Sequence, residues 1–352
     1  MLIELDSDYE RTIISRNSLS KNEIQAFSIL LNSVAEGRNF LKASYNFFDF
    51  LNFKYISYFS YYVKNYLKNV INSYTTMMSD VNGVDAVLMI SNQSLFDNLS
   101  LNCSCRININ DLPKYLFGSL YCENISDCDF FELLYLRLCS TKLNIFLDKQ
   151  TFGGGSAKGV VGSLLNNKEK VFFCIADSDK KYKTAPLGST AASLLELYKT
   201  HNHCFSALYI LGVHEKENLI PCSLLSTMDC FDEEQKKFTH IVSTLNDETK
   251  EYIDLKDGIS KKCRKEMRDN NDIKLICFPI MEKMKRLKMY HSKKEDKILV
   301  RGLGNNGAEK AINCIESFDV YYELLTKNQK CDLDVIFGQI KRFGLAYCLS
   351  YS

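Results

Sequence analysis

Between residues 117 and 221, short apolar runs alternate with amphipathic stretches, and this alternation limits the fold more than any other feature of the chain. Residues 117–122, 142–147, 170–176 and 204–212 read as strands, and residues 129–139, 157–166 and 190–200 read as the helices between them. A strand followed by a helix returns to the same sheet edge only as a parallel neighbour. The expectation is therefore an α/β fold with a largely parallel sheet. In open sheets of this class, functional groups gather at the carboxyl ends of the strands.

The flanks read differently. In residues 1–116, Ile24, Phe27, Leu30, Leu31, Phe40, Leu41, Tyr45, Phe48 and Leu51 recur at helical spacing, with a cap at residues 18–21. That predicts two or three helices between residues 20 and about 74. Residues 84–90 then form a β-like run, and residues 99–109 alternate polar and apolar. Residues 222–352 are charged and mainly helical, with helices expected at 232–247 and 262–267 and a short strand at 273–278. The three regions, 1–116, 117–221 and 222–352, are the expected domains.

With 44 basic and 43 acidic residues the net charge is +1, which excludes a polycation but not a local basic surface. Residues 261–297 form such a surface, with thirteen Lys and Arg against six Asp and Glu. The first residues lack the basic-then-apolar order of a signal peptide, so the 14 cysteines are expected reduced and the protein cytoplasmic. The aromatic run 55–63, bracketed by Lys54 and Lys64, is too short to cross a bilayer.

The chemistry-bearing residues follow the strands. The run 171–176 ends in Asp177, Ser178 and Asp179. If extension continues, the two carboxylates face one side and can share a hard cation, although such a pair also serves as a cap and turn. Glu123 and Asp127 follow the first strand, where Asp127 could equally cap the next helix. Residues 153–156, Gly-Gly-Gly-Ser, precede a helix, where free N–H groups suit a phosphate or the glycines simply make a tight turn. Glu217 and Asn218 follow the fourth strand.

Taken in order, these pieces resemble the Toprim domain, in particular Toprim nucleases of the overcoming-lysogenization-defect type and related bacterial defence effectors. The family's Glu-Gly-x-x-Asp motif matches Glu123 to Asp127 with Asn124 in place of glycine. Its Asp-x-Asp motif matches Asp177 and Asp179, and the late Glu-Asn matches Glu217 and Asn218. The resemblance covers residues 117–221 and implies a Toprim-like, Rossmannoid sheet. It also implies Mg²⁺ or Mn²⁺ held by Glu123, Asp177 and Asp179, with Asp127 and Glu217 completing the catalytic set. The implied activity is hydrolysis of phosphodiesters in DNA or RNA by an antiphage effector. A regulatory ATPase partner and a homodimer belong to the same expectation. Two other classes stay open: a metal-dependent nucleotide-sugar glycosyltransferase, which would not need Glu123, and a non-catalytic sensor or adaptor on the same scaffold.

Weaker signals have plainer readings. Cys103, Cys105, Cys122 and Cys128 contain no C-x-x-C pair and read as small apolar residues rather than zinc ligands. His201, His203 and Cys204 read as a solvated loop, Arg286 with His291 as a chance spacing in a basic stretch, and residues 301–307 as a turn.

Overall fold

The computed structural model describes residues 1–92, 105–139, 144–168, 170–201, 205–291, 297–315 and 317–347, and arranges them around two parallel four-stranded sheets. The first comprises β1 (Leu2–Leu5), α1 (Ser7–Arg16), α2 (Lys21–Ala35), β2 (Phe40–Lys42), α3 (Tyr45–Tyr55), α4 (Tyr61–Asp80), β3 (Leu88–Ser91) and β4 (Cys105–Asn108). Its strand order is β2-β1-β3-β4. The helices stand where the apolar spacing puts them, and Ser20 caps α2 in a reciprocal box with Glu23. Phe40 and Leu41, read above as part of a helical face, instead form β2. Gly37, with φ of 73°, ends the preceding helix in the left-handed region and turns the chain into a strand of three residues, too short to show a period.

The second sheet comprises β5 (Gly118–Cys122), α5 (Ile125–Leu138), β6 (Asn144–Ile145), β7 (Asp148–Thr151), α6 (Ala157–Asn167), β8 (Val171–Ala176), α7 (Ser189–Thr200) and β9 (Ser206–Ile210). The four sheet strands run parallel in the order β7-β5-β8-β9. The fold is thus α/β and Rossmann-like. All six residues of β8 are buried, as expected of an interior strand with both faces covered. The strand expected at 142–147 is displaced. The segment that enters the sheet is the polar Asp148–Thr151 at its edge, whereas Asn144–Ile145 pairs antiparallel with a later strand. Edge position explains the miss, because a strand with one open flank needs no continuous apolar run. Lys149 there pairs with Asp129 at 2.7 Å and Glu132 at 2.9 Å.

The remainder comprises α8 (Cys222–Leu225), α9 (Glu233–Ser243), α10 (Asp247–Tyr252), β10 (Gly258–Ser260), α11 (Lys261–Asp269), α12 (Asn271–Arg286), β11 (Ile298–Arg301), α13 (Gly307–Asn313), α14 (Phe318–Glu323), α15 (Lys327–Gly344) and β12 (Leu345–Ala346). The strand expected at 273–278 is the first half of α12. Ile273, Ile276, Cys277, Ile280, Met281 and Met284 are buried at helical spacing, and Asn270 caps the helix by accepting from the Asp272 and Ile273 N–H groups. A six-residue window was too short to separate the two periods. Helix α15 packs on β1, β5 and β8 and so ties both sheets into one core. No described helix is long and apolar enough to cross a membrane.

Candidate metal centre

Because β5 and β8 are adjacent and parallel, the residues that leave their carboxyl ends arrive at one edge of the sheet. Glu123 leaves β5 and Asp177 leaves β8. The path at Glu123 is fixed by its carbonyl, which accepts from the Thr151 hydroxyl and from the Gly153 N–H. Asn124 has φ of −129°, so the position needs no glycine, and its N–H donates to Asp127 Oδ2 at 2.9 Å. The Gly-Gly-Gly-Ser segment has a definite task here. A Cβ at Gly154 would collide with Glu123 Oε1, so the missing side chain is what lets that carboxylate lie against the loop. Gly188 makes the same room for the Asp179 carboxylate.

Extension does not continue through the Asp-x-Asp segment. Asp179 has φ of 53°, in the left-handed region that short polar residues tolerate best. Its N–H donates to the His214 carbonyl at 2.9 Å, and the buried Ser178 hydroxyl donates to the Val213 carbonyl. The two carboxylates therefore reach the edge by a turn and not by strand alternation. Asp177 is half-buried and accepts from the Lys216 N–H at 3.1 Å, while Asp179 is exposed.

The fourth contributor stands on the single turn Lys216–Leu219 after β9. Asp332 of α15 anchors the start of that loop by accepting from the Tyr209 hydroxyl at 2.7 Å and from the Gly212 and Val213 N–H groups. Asn218 locks its far end by donating to the Lys250 and Ile253 carbonyls, both at 2.9 Å. The Glu217 side chain is 1% exposed, and its Oε1 has no hydrogen-bond partner. Burial pushes its carboxyl up to about 7, against the pull of Lys216 and Lys256.

The five predicted acids share one field. Burial raises Asp177 well above the carboxylate range, and Glu217, Asp127 and Asp179 add to the rise. Glu123 is raised by burial and then by Asp179 and Asp127, with Lys256 opposing. The buried Lys216 ammonium donates to Asp127 Oδ1 at 2.7 Å. Burial alone would lower Lys216, but Asp127, Glu309 and Glu217 hold its ammonium above the usual lysine range. The arrangement offers hard oxygen donors, one of them buried and unpartnered, which suits a divalent cation such as Mg²⁺ or Mn²⁺.

Two features escaped the sequence reading. Lys256, in the turn before β10, is close enough to Glu123, Glu215 and Glu217 to shift their ionisation or be shifted by it. It lies far along the chain from all three, and no pattern marks it. Among the described residues, the tightest group of metal-type ligands is His214, Glu215 and Asp254, whose ligand atoms all lie within 4.8 Å of one another. Glu123, Asp177 and Asp179 are not that group.

The other candidates have ordinary roles. The buried Cys128 thiol donates to the Leu120 and Gln150 carbonyls, and Cys105 and Cys122 are core residues. His201 Nδ1 meets the Leu197 carbonyl at the end of α7, whereas His203, Cys204 and Cys103 lie outside the described residues. His291 pairs with Glu234 at 2.9 Å, and Arg301 with Asp232 at 3.0 Å. Arg286 is exposed in the basic last turn of α12. No family model, curated protein or solved structure matches this chain.

Proposed function

We propose that this chain is a divalent-metal-dependent nuclease of the Toprim type, hydrolysing phosphodiesters in DNA or RNA. The observation that carries the reading is the buried Glu217 Oε1, left without a partner beside Asp177 at the sheet edge that also holds Glu123, Asp127 and Asp179. Carboxylates this crowded need a cation to remain ionised together. Mg²⁺ or Mn²⁺ held by Glu123, Asp177 and Asp179 would supply positive charge at a scissile phosphate and acidify a water.

The remaining roles belong to the chain itself. Glu217 is the group placed to accept a proton from an attacking water, since its carboxyl titrates near neutral pH. Asp127 holds the backbone after Glu123 through the Asn124 N–H, and the Lys216 N–H orients the Asp177 carboxylate while its ammonium holds Asp127. Lys256 offers the ammonium that a phosphate oxygen would meet. The exposed Lys262, Arg264, Lys265 and Arg268 of α11 give a polyanion its grip, because Lys181, two residues past Asp179, bonds Glu266 of α11 at 2.6 Å and so fixes that helix beside the edge. The resemblance further proposes a toxic role in antiphage defence, a regulatory ATPase partner and a homodimer.

The test is cleavage of supercoiled plasmid, linear DNA and total RNA by the purified chain with Mg²⁺ or Mn²⁺, beside Glu123→Gln and Asp177→Asn. Cleavage that falls at least about 10³-fold in both variants and in chelator supports the reading. Activity that survives Glu123→Gln would sink it in favour of a transferase that uses Asp177 and Asp179 alone.

A further inference from the structure

The loop after β9 carries a second set of ligands beside the acidic edge. His214, Glu215 and Asp254 each offer one ligand atom, and the three atoms lie within 4.8 Å of one another. His214 and Glu215 are each only 9% exposed. All three are fixed by hydrogen bonds to the backbone of other residues. The His214 N–H donates to the Glu251 carbonyl at 2.8 Å, and its carbonyl accepts from Asp179. Glu215 Oε1 accepts from the Lys256 N–H at 3.0 Å, and Asp254 Oδ1 accepts from the Asp257 N–H at 2.6 Å.

The imidazole decides the chemistry. His214 Nδ1 stands 2.8 Å from the Lys180 carbonyl, an acceptor that only an N–H can satisfy. In the neutral ring the lone pair is then on Nε2, which has no hydrogen-bond partner among the described residues. A ring whose outer nitrogen donates to a backbone carbonyl while the inner one stays bare is how metal centres fix a ligating histidine. Two carboxylates alone would suit calcium or magnesium, whereas an imidazole added to them favours a first-row transition ion. A cavity of about 260 Å³, lined by His214, Asp254, Lys181, Cys263 and Glu266, adjoins the group. Three protein ligands beside open space are the form of a site that keeps positions for exchangeable ligands.

We propose that His214, Glu215 and Asp254 form a transition-metal site, distinct from the Glu123, Asp177 and Asp179 group, with its open positions facing this cavity. The site stands on its own ligands and does not rest on the nuclease reading. It takes a divalent first-row ion, for which Mn²⁺ is the suitable probe because it prefers oxygen and imidazole to the thiols of Cys263 and Cys277 nearby.

The experiment is pulsed electron paramagnetic resonance on the full chain, stripped of metal and reloaded with Mn²⁺. The wild type is expected to show nitrogen coupling from one imidazole. His214→Asn keeps an N–H for the Lys180 carbonyl but removes Nε2. In that variant the coupling is lost, and one equivalent of Mn²⁺ binds at least about tenfold more weakly. Asp254→Asn should weaken the same equivalent, while Asp177→Asn leaves the nitrogen signal in place. Absence of nitrogen coupling in the wild type overturns the proposal without any variant having to fold, and so does a signal that survives His214→Asn. A chain that cleaves nothing yet shows the coupling would refute the nuclease and leave this site standing.

Discussion

The ammonium of Lys216 donates to Asp127 Oδ1 at 2.7 Å, and both side chains are buried. The same ammonium reaches Glu309 of α13 at 2.7 Å, so one cation joins the first turn of α5, the loop after β9 and the carboxyl-terminal region. Removing it leaves the buried Asp127 and the half-buried Glu309 without a counter-charge, which is far costlier than never having had the pair. Lys216→Met should destabilise the chain by about 3–5 kcal/mol in urea denaturation. Adding Asp127→Asn to that variant should recover more than about 1 kcal/mol, because one stranded charge is removed.

Gly154→Ala tests positioning without touching an ionisable group. The added methyl meets the mobile end of Glu123 and not backbone, so the stability loss should stay under about 1 kcal/mol. Displacing that carboxylate should lower cleavage about 10²-fold, since small misplacements at a reacting centre are costly. Equal losses in stability and activity would show that the glycine serves the turn alone.

Glu217 gives the metal-free chain a pH dependence. Its carboxyl titrates near 7 when folded, against a reference value of 4.5. Between these values the folded chain keeps a proton that the unfolded chain has released. The associated stability is therefore complete below about pH 4.5 and lost as pH rises through 7, a change on the order of 3 kcal/mol. Thermal denaturation in chelator should show the midpoint falling from pH 5 to pH 8, and Glu217→Gln should flatten that slope. Mg²⁺ or Mn²⁺ held by Glu123, Asp177 and Asp179 should restore stability on the alkaline side, where its charge offsets the ionised Glu217.

Asn218 should behave as a structural lock. Its amide satisfies the Lys250 and Ile253 carbonyls, and its own carbonyl accepts from the Gln329 side chain. Asn218→Ala strands two buried acceptors, and the expected loss is about 2–3 kcal/mol by thermal or urea denaturation. Because Ile253 precedes Asp254, Mn²⁺ affinity at His214 should fall in the same variant.

The central strands and their acids were legible because an interior parallel strand is buried on both faces and must be apolar throughout. The runs that became β5 and β8 announced themselves in this way, the edge strand β9 showed a shorter apolar run, and Glu123, Asp177 and Glu217 were read directly as residues that follow these three strands. The helices α5, α6 and α7 were legible for the same reason, since each buries one periodic stripe.

What only tertiary structure decided lacks a local signature. The edge strand β7 is polar, β1 and β2 are too short to show a period, and α12 was mistaken for a strand inside a six-residue window. The left-handed turn at Asp179 is set by its bond to His214, 35 residues later. Lys256 and Asp254 enter the site from beyond α10, and the Lys216, Asp127 and Glu309 contacts join residues about 90 positions apart. Sequence periodicity records which faces are buried against a neighbour. It carries no record of which distant charge a buried group will meet, because that is fixed only when the helices close over the sheet.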